Sequence, residues 1–294
     1  MNKLGITTSV KCDEWQIAKA QKLAREKGYN YIVRDKKTIK NLLEICSGVF
    51  VVYKDKLSFY NDSGELFFHP DTARLRIKNN DNEPLLELIG SDRKNILDCT
   101  LGLASDSTIM SYAGHNVVAL EKNNIIYEVV SDGLENYCDN EKITQAMRDI
   151  KVINIDSYNY LKSRKDNSFD VIYFDPMFSE NIKESTNLDV LTTVAAKDIL
   201  TKEILQEAKR VAKEKIIIKA HFRDTVFEQF GFERIIRKNT KFHYGFIDLK
   251  WEWDRSRKSN DFRFVVPPPH SLLDVKKIDT IAFNINKPLR KVKL

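Results

Sequence analysis

The sequence predicts an α/β protein built on a doubly wound, mostly parallel seven-stranded sheet, with a small N-terminal α/β domain before it. From about residue 95 onward, short apolar segments alternate with longer segments of mixed polarity, which is typical of strands and helices around a parallel sheet. The predicted strands also end in acidic or small polar residues, at the positions where open sheets bind ligands. A chain of 294 residues with 42% hydrophobic content is long enough to bury such a core.

Seven apolar segments are predicted to form the strands of the larger sheet. They are residues 96–99, 116–120, 152–155, 171–174, 216–219, 232–237 and 244–249. Helices are predicted at residues 107–112, 125–137, 157–163, 201–212 and 224–230. These segments place the larger domain at residues 86–250.

Residues 1–85 are predicted to form the smaller domain. Apolar residues recur at helical spacing over residues 13–27, and Gly28 follows where a left-handed helix cap is favoured. Further predicted elements are a helix at 38–46 and strands at 5–9, 31–33, 49–53, 57–60 and 65–68, with a hairpin between the third and fourth strands. The sequence of this domain contains no recognisable catalytic motif, and contact with RNA is one role it could have.

The remaining segment, residues 251–294, is basic. It contains ten Lys or Arg and five Asp or Glu, whereas the whole chain has a net charge of +6. Such a segment suits contact with a polyanion. A solvated extension, or an arm that docks on a second subunit, explains the same charge, and the sequence leaves these alternatives open.

The composition disfavours several classes of protein. No apolar stretch approaches the roughly 20 residues that cross a bilayer, and the polar N-terminal residues lack the core of a signal peptide, so we expect a cytoplasmic protein without a membrane contact. The four cysteines form no Cys-x-x-Cys pair and the five histidines are dispersed. Neither disulfides nor a metal site is therefore predicted.

Residues at the ends of three predicted strands suggest a nucleotide-type cofactor site. Gly102 lies in a tight turn after the first strand, where it allows the backbone to approach a ligand closely. Glu121 ends the second strand about 20 residues later, the spacing at which a carboxylate binds ribose hydroxyls. Asp156 and Ser157 follow the third strand. Each has a plainer explanation as well, because such residues also form turns and cap helices.

The chain has no Gly-x-Gly-x-x-Gly run after the first strand. A dinucleotide is therefore disfavoured, because its pyrophosphate needs that close approach of the backbone. A cofactor without phosphate, such as S-adenosyl-L-methionine (SAM), fits better. An oxidoreductase on the same sheet is the rival interpretation, and binding of a nicotinamide cofactor would revive it.

The tetrapeptide Asp175-Pro176-Met177-Phe178 directly follows the apolar strand 171–174. It is either a turn that ends the strand or a site for an exocyclic amine, whose lone pair is delocalised into its ring. A carboxylate and the Pro176 carbonyl that accept the two N–H groups would localise that lone pair, and Phe178 would stack on an extruded base.

These segments resemble the SAM-dependent methyltransferases that act on amines, and most closely the family that methylates guanine N2 in small-subunit ribosomal RNA. The likeness covers about residues 95–249. It is carried by Leu97-Asp98-Cys99-Thr100-Leu101-Gly102-Leu103 with Asp106, by Ala119-Leu120-Glu121-Lys122-Asn123, by Val171-Ile172-Tyr173-Phe174-Asp175-Pro176-Met177-Phe178, and by Ile216-Ile217-Ile218-Lys219.

The resemblance implies a cofactor, a substrate and a set of site residues. SAM would be bound by Asp98, Thr100, Gly102, Asp106, Glu121 and Asp156, the target base by residues 175–178, and the partner would be ribosomal RNA or a ribosomal subunit. The chain departs from the family at Ala104, where Gly is expected, and at Ala220-His221, where Arg-Pro is expected. The second departure borders the RNA side of the site.

Three alternatives to guanine methylation stay open. They are an adenine-N6 target, a protein amide target, and a non-catalytic RNA-binding or assembly protein that retains the fold. Lys219, His221 and Arg223 are candidate phosphate contacts for any nucleic-acid substrate.

Overall fold

A computed structural model describes residues 4–79, 83–176, 200–238 and 240–250. Its N-terminal part contains a five-stranded sheet in the order β2-β1-β3-β4-β5, in which β1 pairs in parallel with β2 and β3 while β4 pairs antiparallel with β3 and β5. The strands are β1 (Gly5–Thr8), β2 (Asn30–Tyr31), β3 (Val49–Val52), β4 (Leu57–Asn61) and β5 (Gly64–Phe67).

Four helices accompany this sheet: α1 (Glu14–Lys27), α2 (Ile39–Leu43), α3 (Asp71–Lys78) and α4 (Pro84–Ile89). Asp13 caps the start of helix α1, where its backbone N–H donates to Gln16 Oε1 at 3.0 Å, and Gly28 caps the end with φ of 71°. A left-handed residue at that position favours glycine. The predicted first helix is therefore confirmed together with its end signal.

The larger sheet has seven strands in the order β11-β12-β10-β9-β6-β7-β8. They are β6 (Asn95–Asp98), β7 (Asn116–Glu121), β8 (Lys151–Asn154), β9 (Phe169–Phe174), β10 (Ala212–His221), β11 (Glu233–Ile235) and β12 (Phe242–Asp248). Strands β6 to β10 pair in parallel with one another, whereas β12 is antiparallel to both of its neighbours.

The described residues of this part of the chain also form six helices. They are α5 (Ser105–Tyr112), α6 (Asn124–Asn136), α7 (Glu141–Arg148), α8 (Ser157–Lys162), α9 (Lys202–Val211) and α10 (Val226–Phe230). No helix among the described residues is long and apolar enough to span a lipid bilayer.

Alternate residues of the central strands face two different cores. In β9, Val171 and Tyr173 pack into a core that also contains Phe50 of the N-terminal sheet. Ile172 and Phe174 pack on the opposite side with a second group of apolar residues. Because strand side chains alternate between faces, a strand that is buried on both faces is apolar throughout. The N-terminal sheet therefore shares a hydrophobic core with one face of the larger sheet.

Helix α6 packs closely against the N-terminal part. A Cβ atom placed on Gly133 would lie 2.2 Å from the ring of Phe68, which is itself buried. A side chain at position 133 would collide with the Phe68 ring. Because glycine has none, α6 can pack directly against the segment after β5.

The predicted fold class is confirmed, including the seven strands of the larger sheet and the hairpin of β3 and β4. The short helices α3, α4 and α7 were not predicted. The described residues all belong to one compact unit, so a division at residue 85 stays a prediction. The basic segment 251–294 lies outside the described residues.

Candidate active site

The carboxyl ends of strands β6 to β10 lie at one edge of the larger sheet. Strand β6 has β7 on one side and β9 on the other, so successive connections diverge from it. Open α/β sheets bind their ligands at such a switch point. The predicted site residues follow these strands and are brought together at this edge.

Asp98 ends β6 and is 1% exposed. Its Oδ1 accepts the backbone N–H of Thr100 at 2.9 Å, and its Oδ2 accepts the hydroxyl of Ser107 at 2.6 Å. Burial raises the pKa of Asp98 to about 7, while these hydrogen bonds act in the opposite direction. Asp98 thus ties both ends of the loop after β6 to the strand.

Two residues of that loop adopt the left-handed conformation, Gly102 with φ of 50° and Ala104 with φ of 60°. Among the described residues, a Cβ atom on Gly102 would meet only the Thr100 carbonyl oxygen, at 4.0 Å. As far as the described part of the chain goes, the backbone there is open to close approach by a ligand. Ala104 is fully buried and replaces the expected glycine, at a conformational cost of about 1–2 kcal/mol.

The next two strands end in the other predicted cofactor residues. Glu121 ends β7, and its Oε1 accepts the backbone N–H of Asn123 at 2.7 Å. Asp156 follows β8 and caps α8, since its Oδ1 accepts the backbone N–H of Asn159 at 3.1 Å. Ser157 is the first residue of that helix. The helix-capping role that the sequence allowed for Asp156 is therefore present, and a cofactor role for these residues stays a prediction.

Asp175 follows β9 and contacts two site residues. Its backbone N–H donates to Thr100 Oγ1 at 2.6 Å, and its Oδ2 accepts from Lys219 Nζ at 2.6 Å. Burial raises the pKa of Asp175 to about 6; the Lys219 charge lowers it and the Asp106 charge raises it further. Pro176 comes next, whereas Met177 and Phe178 lie outside the described residues.

Asp106 of α5 forms the centre of a buried charge cluster. Its Oδ1 accepts from Arg76 Nη1 at 2.5 Å, and its Oδ2 accepts from the Tyr173 hydroxyl at 2.9 Å and from Lys219 Nζ at 3.0 Å. Burial disfavours the charged carboxylate, but the charges of Lys219 and Arg76 outweigh burial and hold the pKa of Asp106 below its usual range. Lys219 therefore bridges Asp106 and Asp175.

Arg76 of α3 is a site residue that the sequence analysis did not predict. Its Nε and Nη2 donate to the two oxygens of Glu83 at 3.0 and 2.7 Å, and Nη2 also donates to the Tyr244 hydroxyl at 3.2 Å. One signal in the sequence could have indicated a further cation, namely the excess of carboxylates near the strand ends. Asp98, Asp106 and Asp175 lie at the same edge, and a single lysine does not balance that much buried negative charge.

The three candidate phosphate contacts occupy different environments. Lys219 belongs to the buried cluster. His221 is 8% exposed, and its ring lies 4.7 Å from the ring of Phe222. Arg223 is exposed, with its guanidinium 5.1 Å from the Phe222 ring centre. Of the three, Arg223 is therefore the one whose charge faces solvent.

The chemistry of this edge suits a nucleoside-type ligand. Backbone beside Gly102 is open to close approach, and the Glu121 carboxylate lies at the end of the adjacent strand, as a ribose contact requires. Among the described residues, no group of three or more His, Cys, Asp or Glu side chains is placed to hold a metal ion.

The fold and the site define a Rossmann-like methyltransferase. A family described as "Putative SAM-dependent methyltransferase" matches residues 67–243. The match covers more than half of the chain, so the protein belongs to this family and SAM is its cofactor. It begins before α3, so the matched region includes Arg76 as well as the strand-end residues.

Two kinds of curated relative are similar to the chain. It is 39% identical over 252 residues to "Uncharacterized protein YpiP" of Bacillus subtilis (strain 168). This alignment covers 82% of this chain and 98% of that protein. It is 34% identical over 145 residues to "Ribosomal RNA small subunit methyltransferase J" of Buchnera aphidicola subsp. Schizaphis graminum (strain Sg). This alignment covers 47% of this chain and 58% of that protein. The second likeness is thus partial on both sides.

A solved structure shows the same fold. The SAM-dependent methyltransferase NGO1261 from Neisseria gonorrhoeae has a TM-score of 0.51 and 14% sequence identity, over 83% of this chain and 95% of that one. At this identity the likeness supports the architecture alone.

Proposed function

We propose that the protein transfers a methyl group from SAM to the exocyclic N2 of a guanine in small-subunit ribosomal RNA. The observation that carries the proposal is the placement of Asp175 and Pro176 directly after β9, beside the loop of Gly102. The link between the two is direct, because the Thr100 hydroxyl of that loop accepts the Asp175 backbone N–H. The partial likeness to a ribosomal RNA small subunit methyltransferase supports the choice of target.

In this proposal, the cofactor lies along the ends of β6, β7 and β8. The backbone at Gly102 approaches it, Glu121 accepts its ribose hydroxyl protons, and Asp156 with Ser157 lies on the adenine side. When bound, SAM supplies a methyl group activated by a sulfonium. Asp98 already binds Thr100 and Ser107 through its two oxygens, so we assign it to holding the shape of the loop.

The target amine is assigned to Asp175. Lys219 holds Oδ2 of this carboxylate, and in the proposal Oδ1 accepts one amine N–H while the Pro176 carbonyl accepts the other. Both hydrogen bonds strengthen as positive charge develops on the nitrogen, so they favour the transition state over the ground state.

The chemical step is an in-line transfer without a covalent enzyme intermediate. The amine lone pair forms the new nitrogen–carbon bond as the methyl–sulfur bond breaks, and the bonding electrons stay on sulfur. The methylated nitrogen then loses a proton to solvent. Positioning of the two reactants supplies most of the acceleration in such a step.

The experiment that tests this function compares two aspartates of the same strand. Asp175 follows the carboxyl end of β9, whereas Asp170 lies at its amino end and pairs with Lys213 at 2.9 Å. In a strain that lacks the protein, N2-methylguanine in 16S ribosomal RNA is expected to disappear. Wild type and Asp170→Asn should restore it, while Asp175→Asn should lower the rate by at least about 100-fold.

Calorimetry and nucleoside mass spectrometry separate the possible failures. Asp175→Asn is expected to bind SAM as the wild type does, because its carboxylate is assigned to the substrate. If the strain that lacks the protein loses N6-methyladenine instead of N2-methylguanine, the proposed target is wrong but the proposed mechanism stands. If no nucleoside changes, a protein amide substrate or a non-catalytic role replaces the proposal.

A further inference from the structure

A basic and partly apolar surface continues from the candidate active site. It comprises Phe222, Arg223, Ile236, Arg237, Lys238 and Lys241, and we call it the basic rim. Strand β10 carries Lys219 into the site and ends at His221, so Phe222 follows immediately. The Phe222 backbone N–H donates to the Lys241 carbonyl at 2.9 Å, which joins the two segments of the rim.

Two large apolar side chains of the rim face solvent. Phe222 is 39% exposed and Ile236 is 72% exposed. The guanidinium of Arg223 lies 5.1 Å from the Phe222 ring centre, and that of Arg237 lies 5.7 Å from the ring centre of Tyr244. Tyr244 is buried, so Phe222 with Arg223 beside it is the exposed pair of this surface, and an exposed aromatic ring next to a guanidinium group is suited to stacking with a nucleic-acid base.

Three cations of the rim lack nearby carboxylates. Within the described ranges, no Asp or Glu oxygen lies within 4.0 Å of the charged groups of Arg223, Arg237 or Lys238. The neighbouring Arg234 differs, because it pairs with Glu228 and also donates to the Phe222 carbonyl. Arg234 therefore has a carboxylate partner among the described residues, whereas these three cations have none there.

We propose that the basic rim binds single-stranded RNA next to the target base, with one base stacked on Phe222 and backbone phosphates held by the surrounding arginines and lysines. The inference rests on the proposed function for its substrate class. It adds the surface that positions the substrate, which the strand-end residues do not supply. Phosphate contacts of this kind position a strand without reading its sequence.

The distance along the strand fits this role. Phe222 comes three residues after Lys219, and a strand rises by about 3.3 Å per residue. The backbones of Lys219 and Phe222 are thus at most about 10 Å apart, so the stacking face lies close to the strand end that carries Lys219. Single-stranded RNA is the form that offers unstacked bases to such a face.

The test measures RNA binding without methyl transfer. A fluorescein-labelled single-stranded 12-mer RNA that contains guanine is titrated with full-length protein, and anisotropy gives the affinity at several salt concentrations. Phe222→Ala is expected to weaken binding by about tenfold, within the range for removal of one stacked base. The triple variant Arg223→Ala, Arg237→Ala and Lys238→Ala should flatten the salt slope by about 0.7 for each phosphate that it no longer neutralises.

A matched control removes three exposed cations elsewhere: Arg93→Ala, Lys151→Ala and Lys165→Ala. It should leave both affinity and salt slope near wild type, and calorimetric SAM binding shows that each variant is folded. Equal affinity of wild type and Phe222→Ala, or equal slopes for the two triple variants, would overturn the proposal. If polyglutamate competes as well as RNA does, the rim is a general polyanion surface and the proposal is wrong.

The outcomes stay separate from those of the proposed function. If methylation of RNA is never found but the rim variants weaken RNA binding, the rim stands as an RNA surface while the chemistry fails. If methylation is found and the rim variants bind RNA normally, the function stands and the rim is refuted.

Discussion

Ion pairs join the N-terminal part of the chain to the part that holds the larger sheet, and two of the places where they do so are built differently. At the first, between α1 and α6, Lys27 pairs with Glu128 at 2.5 Å and Lys19 pairs with Asp132. Each pair consists of one lysine and one carboxylate, and the lysines are 34% and 27% exposed. A hydrogen bond to Glu128 raises the pKa of Lys27, which is the ordinary effect of a single partner.

At the second place, the edge of the larger sheet, the charges are shared. Lys219 contacts both Asp106 and Asp175, and Arg76 contacts Asp106 from the N-terminal side. The pKa values of the two carboxyl groups are shifted in opposite directions, since that of Asp106 is lowered and that of Asp175 is raised. Carboxyl groups with separated pKa values are typical of functional sites. The comparison indicates that the first place joins the two parts by separate ion pairs, whereas the second has the shared charges and separated pKa values expected of a functional site.

Arg76→Met should show the largest difference between the two places. The substitution leaves Glu83, 8% exposed, and Asp106, 7% exposed, without their guanidinium partner. Removing one partner of a buried ion pair costs about 3–5 kcal/mol, because the other charge stays buried. Urea unfolding should therefore show a loss of this size in the free energy of unfolding.

Lys27→Met is the matched control at the interface. Removal of Lys27 leaves one buried carboxylate, Glu128, where Arg76→Met leaves two, and Lys27 itself is 34% exposed, so the loss is expected to be smaller, about 1–3 kcal/mol. Equal losses for the two variants would show that the two places do not differ in the way the comparison requires.

Gly133→Ala tests whether the interface depends on packing more than on its ion pairs. The new Cβ would lie 2.2 Å from the Phe68 ring, and overpacking of a core costs about 1–3 kcal/mol. We expect a loss within that range by thermal or urea unfolding, with SAM affinity unchanged. In a Phe68→Leu background the same substitution should cost less, and an undiminished cost would exclude the ring as the cause.

The pH dependence of methyl transfer tests the separation of the two carboxyl groups. The pKa of Asp175 is raised to about 6 by burial, so this group is ionised above that pH and protonated below it. The protonated form is a poorer acceptor for the amine N–H. The single-turnover rate at saturating SAM should be level above about pH 7 and should fall about tenfold per unit well below pH 6.

Asp175→Asn serves as the control, because its residual rate should lack that dependence. A wild-type rate that stays constant down to about pH 5 would contradict the role of Asp175. Asp98, whose pKa is raised to about 7, is present in both proteins, so a pH dependence that persists in Asp175→Asn would be assigned to Asp98.

The strands of the larger sheet could be predicted because burial on both faces makes them apolar along their whole length, as in 171–174. Their order was not predicted, yet parallel pairing alone brings the strand ends to one edge. Asp98, Glu121 and Asp175 could be selected for that reason, before any contact was known.

Arg76 could not be selected in the same way. Its contact with Tyr244 spans 168 positions in the sequence, and its contact with Asp106 spans 30. Neither leaves a local pattern, since α3 has no clear apolar stripe and Leu75 is 61% exposed. Residues that enter a site from another part of the fold depend on tertiary packing, which periodicity does not report.

Ala104→Gly should give the smallest effect, and it sharpens the comparison by asking whether the loop before α5, the helix that carries Asp106, holds backbone strain. Relief of the left-handed conformation is worth about 1–2 kcal/mol, but loss of a buried methyl group and the greater freedom of glycine cost a similar amount. The net change in the free energy of unfolding is therefore expected to lie within about 0.5 kcal/mol of zero. Ala146→Gly, in the regular helix α7 and 5% exposed, has no such strain to relieve and should lose at least about 1 kcal/mol. Equal losses for the two variants, measured by urea unfolding, would show that the loop is unstrained and that the alanine fits this position as well as glycine does.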